Sequence, residues 1–254
     1  MKRLPSIFYY VFRSKKRHGT HSPFVYEFVD KCIRHKPGPK EQQIIRSYQK
    51  KVKQDTTLIQ VADFGAGSKK LGQQRQIKEI YSIGKSGKKY GQLLFSLTRY
   101  YQPKRILEMG TSLGTGTLYL HLGNPSAQLT SIEGCPKTLA YTVENFPVHS
   151  KQIQFIQETF KDYLNRYDGE KFDLIFIDGD HRGASLKEYV RQLLPHTHNH
   201  TIWILDDIRW SDDMWQAWQE ISQQENFHVS MDLLRMGILV LRPEQFKEHF
   251  YIHI

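Results

Sequence analysis

The chain has 254 residues, 39% of them apolar and 24% charged, with a formal net charge of +10. That length suits one large α/β domain, or a domain with an appendage. No apolar run approaches the roughly 18 residues of a membrane-spanning helix. The two cysteines, Cys32 and Cys135, stand far apart outside any C-x-x-C pattern, which argues against a disulfide framework and a cysteine-based zinc site.

The chain begins MKRLPSIFYYVFRSKKRHGTHS. Its apolar patch, residues 7–12, is shorter than the roughly 7–15 residues of a signal h-region, and basic residues follow it. The expected location is therefore the cytoplasm, with membrane-surface contact a lesser alternative. Much of the positive charge lies before residue 105, including Lys15, Lys16, Arg17, Lys50, Lys51, Lys53, Lys69, Lys70, Lys88 and Lys89. Such asymmetry serves RNA, an anionic surface or an acidic small substrate, and is equally a plain solvated face.

Ser22-Pro23 opens a helix, with Ser as N-cap and Pro in the first turn. Pro37-Gly38-Pro39 ends it, and 41–53 reads as a second, more polar helix. Residues 57–64 look extended. The D-F-G-A-G-S that follows, 63–68, reads as a loop or lid, as does the polar 69–78. Residues 82–89, SIGKSGKK, read as a flexible glycine and lysine loop. Residues 90–101 form a helix with Leu93, Leu94 and Leu97 inward.

From residue 104 strands and helices alternate. The predicted strands are 104–109, 128–133, 153–156, 172–178, 201–206, 227–233 and 237–241. The predicted helices are 114–121, 136–146, 159–166, 184–194 and 211–224. This alternation predicts a parallel sheet with helices on both faces. The last two strands are too close for a crossover, so they form an antiparallel hairpin.

The first unit, KRILEMGTSLGTG at 104–116, is a buried strand, a glycine turn and a helix start. Its Gly110, Gly114 and Gly116 make G-x-x-x-G-x-G, which is neither the dinucleotide fingerprint G-x-G-x-x-G nor a P-loop. Glu108 before the first glycine suits an ammonium or hydroxyl better than a pyrophosphate. In such sheets ligands bind beyond the carboxyl ends of the strands. Those ends carry Glu108, Glu133, Glu158, Asp178-Gly179-Asp180-His181 and Asp206-Asp207. Carboxylates gathered this way need cations, which points to a ligand with an ammonium and hydroxyls and to a divalent metal.

E-M-G-T-S-L-G-T-G at 108–116, S-I-E at 131–133, F-D-L-I-F-I-D-G-D-H at 172–181 and W-I-L-D-D at 203–207 together resemble the class I S-adenosylmethionine-dependent methyltransferases. More narrowly, they resemble the metal-dependent catechol O-methyltransferase-like group and its sugar-modifying relatives, over about residues 80–241. The resemblance implies an α/β, Rossmann-like, seven-stranded, mostly parallel sheet with the C-terminal hairpin. It also implies a cofactor-binding methyltransferase domain over 81–254, preceded by a helical and loop extension over 1–80 that caps the substrate or contacts a partner.

By position, Glu108 and the backbone of Gly110, Thr111, Ser112, Gly114 and Gly116 would hold the methionine end of the cofactor. Glu133 would take both ribose hydroxyls, and Glu158 would stand near the adenine amino group. Asp178, Asp206 and Asp207 match metal-ligand positions, with Mg²⁺ favoured over Mn²⁺ or Ca²⁺ for hard carboxylate oxygens. Asp178 also falls in the cofactor and catalytic set. The related enzymes often carry Asp-Asn where Asp206-Asp207 stands. His181 matches the base that takes the substrate hydroxyl proton.

Three functions follow for test. The first is O-methylation of a small-molecule hydroxyl. The second is methylation of a hydroxylated tRNA base by way of the basic N-terminal section. The third is a binding protein that keeps the fold without turnover. A homodimer is a further partner class. The run His196, His198 and His200 sits in a loop where it could bind metal adventitiously. Trp215 and Trp218 at helical spacing read as core, with other tryptophans available to wall the substrate.

Overall fold

A computed structural model describes residues 3–14, 22–33, 35–62, 73–84 and 87–254. The glycine-rich 63–68 segment lies outside these residues.

The N-terminal section contributes α1 (Arg3–Arg13) and α2 (Pro23–Phe28), which runs on as a π-helical turn, Val29–Ile33. It continues with α3 (Pro39–Gln54), β1 (Leu58–Val61), β2 (Gln73–Gln76) and α4 (Ile77–Gly84). Ser22 caps α2 by accepting from the Val25 amide at 3.5 Å, as the Ser-Pro signal predicts. The expected extended stretch is present as β1, but it pairs with β2 in an antiparallel hairpin. The polar 73–76 segment is thus a strand, and α4 covers the start of the supposed flexible loop.

The alternating region follows as α5 (Lys88–Tyr101), β3 (Arg105–Met109), α6 (Thr115–Gly123), β4 (Gln128–Glu133), α7 (Pro136–Asn145), β5 (Ile153–Gln157), α8 (Phe160–Arg166) and β6 (Leu174–Ile177). It ends with α9 (Gly183–Leu193), β7 (Ile202–Leu205), α10 (Asp212–Ser222), β8 (Val229–Leu233), β9 (Met236–Val240) and β10 (Glu248–Tyr251). The main sheet has eight strands in the order β10-β8-β9-β7-β6-β3-β4-β5. The eighth, β10, pairs parallel with β8 at one edge. Only β9 runs against the rest: it is antiparallel to both β7 and β8.

The central strands are buried on both faces, which explains their continuous apolar runs. Alternate residues point to opposite sides. Ile106, Leu174, Phe176, Ile202 and Ile204 join a core layer with α2, α3, α5 and α6. Leu107, Met109, Ile175, Ile177, Trp203 and Leu205 join the opposite layer with α8, α9 and α10. Trp215 and Trp218 are buried there, as their spacing predicts.

The N-terminal section is packed into the same molecule. The Tyr48 hydroxyl of α3 donates to the Leu113 carbonyl in the glycine turn at 2.8 Å. The Tyr10 hydroxyl of α1 donates to the Ile252 carbonyl at 2.7 Å. Arg209, just beyond β7, makes a doubly hydrogen-bonded pair with Asp232 of β8, both contacts at 2.7 Å, and reaches Ser6 of α1 at 3.1 Å.

Candidate active site

The carboxyl ends of β3, β4, β6 and β7 open onto a cavity of about 590 Å³, within the usual range for a small-molecule site. Ser112, Glu133, Gly134, Cys135, Asp178, His181, Asp207, Trp210 and Arg235 all face it. The N-terminal section closes one side with Val61, Ala62, Arg75, Ile80, Ile83 and Gly84.

The turn after β3 is held tightly. The Gly110 and Thr111 amides donate to the Ile132 carbonyl at 3.0 and 3.1 Å. Gly110 has φ +114° and Gly114 φ +67°, both left-handed. Ser112 has φ +46° without being glycine. Its amide donates to Glu133 Oε2 at 2.9 Å. Glu133 Oε1 accepts from the Cys135 amide, also at 2.9 Å. Glu133 is therefore fixed at the cavity wall by two backbone amides, one on each carboxylate oxygen.

Glu108 departs from its expected place. Its side chain is fully buried beneath the turn rather than facing the cavity. Oε2 accepts from Thr117 at 2.5 Å and Ser131 at 2.6 Å, and Ser131 is bonded in turn to Thr111. Oε1 has no hydrogen-bond partner among the described residues. Burial raises this carboxyl to about 7, against the pull of the Ser131 and Thr117 hydroxyls. Glu108 supports the turn from below. Gly116 packs against it, since a Cβ there would lie 2.6 Å from Glu108 Oε1.

Glu158 also departs. Its carboxylate is gripped by Arg166 through contacts of 2.8 to 3.1 Å, and it does not line the cavity. An acid at the foot of α8 finds the arginine one helix length away before it finds a ligand.

The metal expectation fares differently at each aspartate. Asp178, His181 and Asp207 do converge, with one ligand-type atom from each lying within 4.8 Å of the others. Asp206 is not part of that group. Its buried carboxylate is held by Arg235, Nε to Oδ1 at 2.8 Å and Nη2 to Oδ2 at 2.7 Å. Arg235 Nε also lies 3.1 Å from Asp207 Oδ1. Asp206 and Asp207 therefore already share a cation supplied by the chain, whose charge also reaches Asp178. A divalent ion on Asp206 would have to sit against a guanidinium and compete for the same oxygens, so Asp206 does not complete the expected set of Asp178, Asp206 and Asp207.

Asp178 is pushed well above the usual carboxylate range, first by burial and then by Asp206 and Asp207, with Arg235 opposing. His181 Nε2 stands 3.8 Å from Asp207 Oδ2, and its ring leans on Trp210 at 5.3 Å between centroids. Asp180 and Asp207 have φ of +49° and +50°. Non-glycine residues in this region cluster where a site needs a forced geometry. Trp210, nearly half exposed at 46%, is the tryptophan that walls the cavity.

Arg235 is the site residue that the sequence reading missed. The signal was available: β9 begins at the carboxyl edge because it runs antiparallel to β7, so the residue just before it must stand beside Asp206. The histidine run lies elsewhere. His198 Nε2 is 3.0 Å from Asp173 Oδ1 at the amino end of β6.

A methyltransferase domain family matches residues 107–208. No curated protein sequence matches the chain. Among solved structures, the chain is similar to a methyltransferase of Podospora anserina bound to S-adenosylhomocysteine. The two share 17% identity at a TM-score of 0.59, over 87% of this chain and 98% of that one. It is also similar to a putative O-methyltransferase from Klebsiella pneumoniae, at 19% identity and a TM-score of 0.58 over 81% and 91%. An O-methyltransferase from Bacillus cereus, in complex with S-adenosylhomocysteine, shares 18% identity at a TM-score of 0.54 over 64% and 89%.

Proposed function

We propose that the chain is a class I S-adenosylmethionine-dependent methyltransferase that methylates a hydroxyl of a small molecule, a reading supported by the methyltransferase domain match over 107–208. The observation that carries this reading is the convergence of His181, Asp178 and Asp207 on the cavity into which Glu133 also faces.

The residues present fit the cofactor. Glu133 has the acceptor geometry for two ribose hydroxyls, while Gly134, Cys135 and Thr138 line the same end of the cavity. When bound, S-adenosylmethionine supplies an electrophilic methyl group on a sulfonium. The acidic strand ends offset that positive charge.

His181 accepts the acceptor's hydroxyl proton on its imidazole as the oxygen takes up the methyl group. Asp207, within ion-pair reach, stabilises the resulting imidazolium. Trp210 supplies an apolar wall on which an aromatic or ring-shaped acceptor rests. The apolar lining from α4, with Ile80 and Ile83, limits water at the reacting centre. The rest of the enzyme's work is alignment.

Release of S-adenosylhomocysteine over a panel of hydroxylated aromatics and sugars tests this reading. Turnover with a hydroxyl acceptor is expected, reduced about 10²–10⁴-fold by His181→Ala with cofactor affinity kept. Transfer confined to nitrogen or carbon acceptors would overturn it.

A further inference from the structure

We propose that Arg235 is the resident cation of this site, holding the aspartate cluster in place of a divalent metal, so that methyl transfer by this chain is independent of metal ions. The inference rests on the methyl-transfer reading for its consequence, and on the geometry of one side chain for its substance.

The guanidinium is placed by the backbone. Arg235 occupies the turn between β8 and β9, where Leu234 has φ +71°. The Arg235 amide donates to the Leu233 carbonyl at 2.9 Å, and its own carbonyl accepts from the Ile208 amide at 2.9 Å. That second bond ties the turn to the residue immediately after Asp206-Asp207. The side chain then has a short course to both carboxylates.

Its contacts are those of a built site rather than a surface ion pair. The fork of Nε and Nη2 meets both oxygens of Asp206, whose side chain is fully buried. Nε bridges on to Asp207. Tyr90 of α5 lies beneath, with its ring centroid 5.8 Å from the guanidinium carbon, and the Tyr90 hydroxyl is itself fixed on the Leu233 carbonyl at 3.0 Å. A planar donor fork matched to a carboxylate holds direction as well as charge.

A hard divalent ion asks for six or more oxygen donors, and Mg²⁺ for near-octahedral order. Here both oxygens of one aspartate and one oxygen of the next are already engaged by nitrogen donors. The guanidinium supplies the positive charge that the three aspartates require, at a fixed position and at every pH where the protein is folded. Arg235 also faces the cavity, so its field acts on an acceptor oxygen as that oxygen loses its proton. It is a positioning residue that sets the electrostatics of the base and the acceptor.

The test is Mn²⁺ binding to the intact protein, followed by loss of the free-ion electron paramagnetic resonance signal. Wild-type protein is expected to leave that signal unchanged up to millimolar Mn²⁺. Arg235→Met and Arg235→Ala, which uncover the Asp206 and Asp207 carboxylates beside Asp178, are expected to bind Mn²⁺ at least about tenfold more tightly than wild type, while Arg235→Lys stays close to wild type. Turnover by wild type is expected to be the same in EDTA as in Mg²⁺. Stoichiometric Mn²⁺ binding by wild type, displaced by Mg²⁺, would overturn the proposal even if the variants fail to fold. Loss of turnover in EDTA with recovery in Mg²⁺ would do the same. Failure of the methyl-transfer reading is distinguished by calorimetry with S-adenosylmethionine, because a chain that binds no cofactor can still show the Mn²⁺ pattern.

Discussion

Gly110 stands directly against the main chain of Asp178: a Cβ at Gly110 would come within 2.0 Å of the Asp178 carbonyl oxygen. The Asp178 amide meanwhile donates to the Met109 carbonyl at 2.8 Å. The glycine turn and the carboxyl end of β6 are therefore one unit, built across the β3–β6 pair. Gly110→Ala meets both this contact and the left-handed φ of +114°. It is expected to cost at least about 2 kcal/mol of stability and to weaken cofactor binding. A thermal melt and a calorimetric titration on the same variant check both.

Glu108 gives the fold a pH dependence. Its ordinary value is 4.5 and burial lifts it to about 7. Between those values the folded chain keeps a proton that the unfolded chain has released. Stability from this group is therefore full below about 4.5, falls as pH rises, and stops falling above about 7. The whole effect is at most about 3 kcal/mol. Glu108→Gln keeps an acceptor for Thr117 and Ser131 but removes the proton equilibrium. The difference in melting temperature between variant and wild type is expected to grow in the variant's favour from pH 5 to pH 8 (roughly the span of that titration). A constant difference across that range would count against the account.

The central sheet was legible because its strands are buried on both faces. ILEM, LIFI and IWIL read as strands without any alternation to interpret, and the carboxylates that follow each run marked the ligand edge. Elements that lie at a margin were hidden. β10, EHFY, is a half-exposed edge strand, and β2, QQRQ, has no apolar residue at all. Their pairing comes from position beside another strand, which local composition does not encode. Glu108 and Glu158 were placed in the site by their positions after the strands and by the family resemblance. One faces down into the core and the other faces an arginine, because the direction of a side chain near a strand end depends on which partners lie within reach.

Glu133 is expected to govern cofactor affinity. Both of its oxygens are oriented by backbone amides, so the carboxylate arrives preorganised. On the proposed reading, Glu133→Ala removes two charge-assisted hydrogen bonds to the ribose and should raise the cofactor dissociation constant by about 10- to 100-fold. Saturating cofactor should recover most of kcat. A loss of kcat with unchanged affinity would assign Glu133 a different role.

Arg209 and Asp232 are buried together, with side chains 5% and 0% exposed. Arg209 also packs over Trp215 at 4.1 Å and donates from Nε to the Ser6 hydroxyl of α1. Asp232→Ala leaves a guanidinium buried without its anion, an expected loss of about 3–5 kcal/mol. In a chain of this size that corresponds to a fall of about 10 °C in melting temperature. The same variant should raise protease sensitivity near α1, since the Arg209 guanidinium that holds Ser6 is no longer fixed by Asp232. Limited proteolysis with mass mapping reads that second effect.

The central claim is a cofactor pocket that is complete without a metal ion, and titration of the purified chain with S-adenosylmethionine in the presence of EDTA tests it most directly. The account predicts saturable binding at one site, with S-adenosylhomocysteine competing for it and Glu133→Ala weakening both. No binding of either compound in EDTA would contradict it.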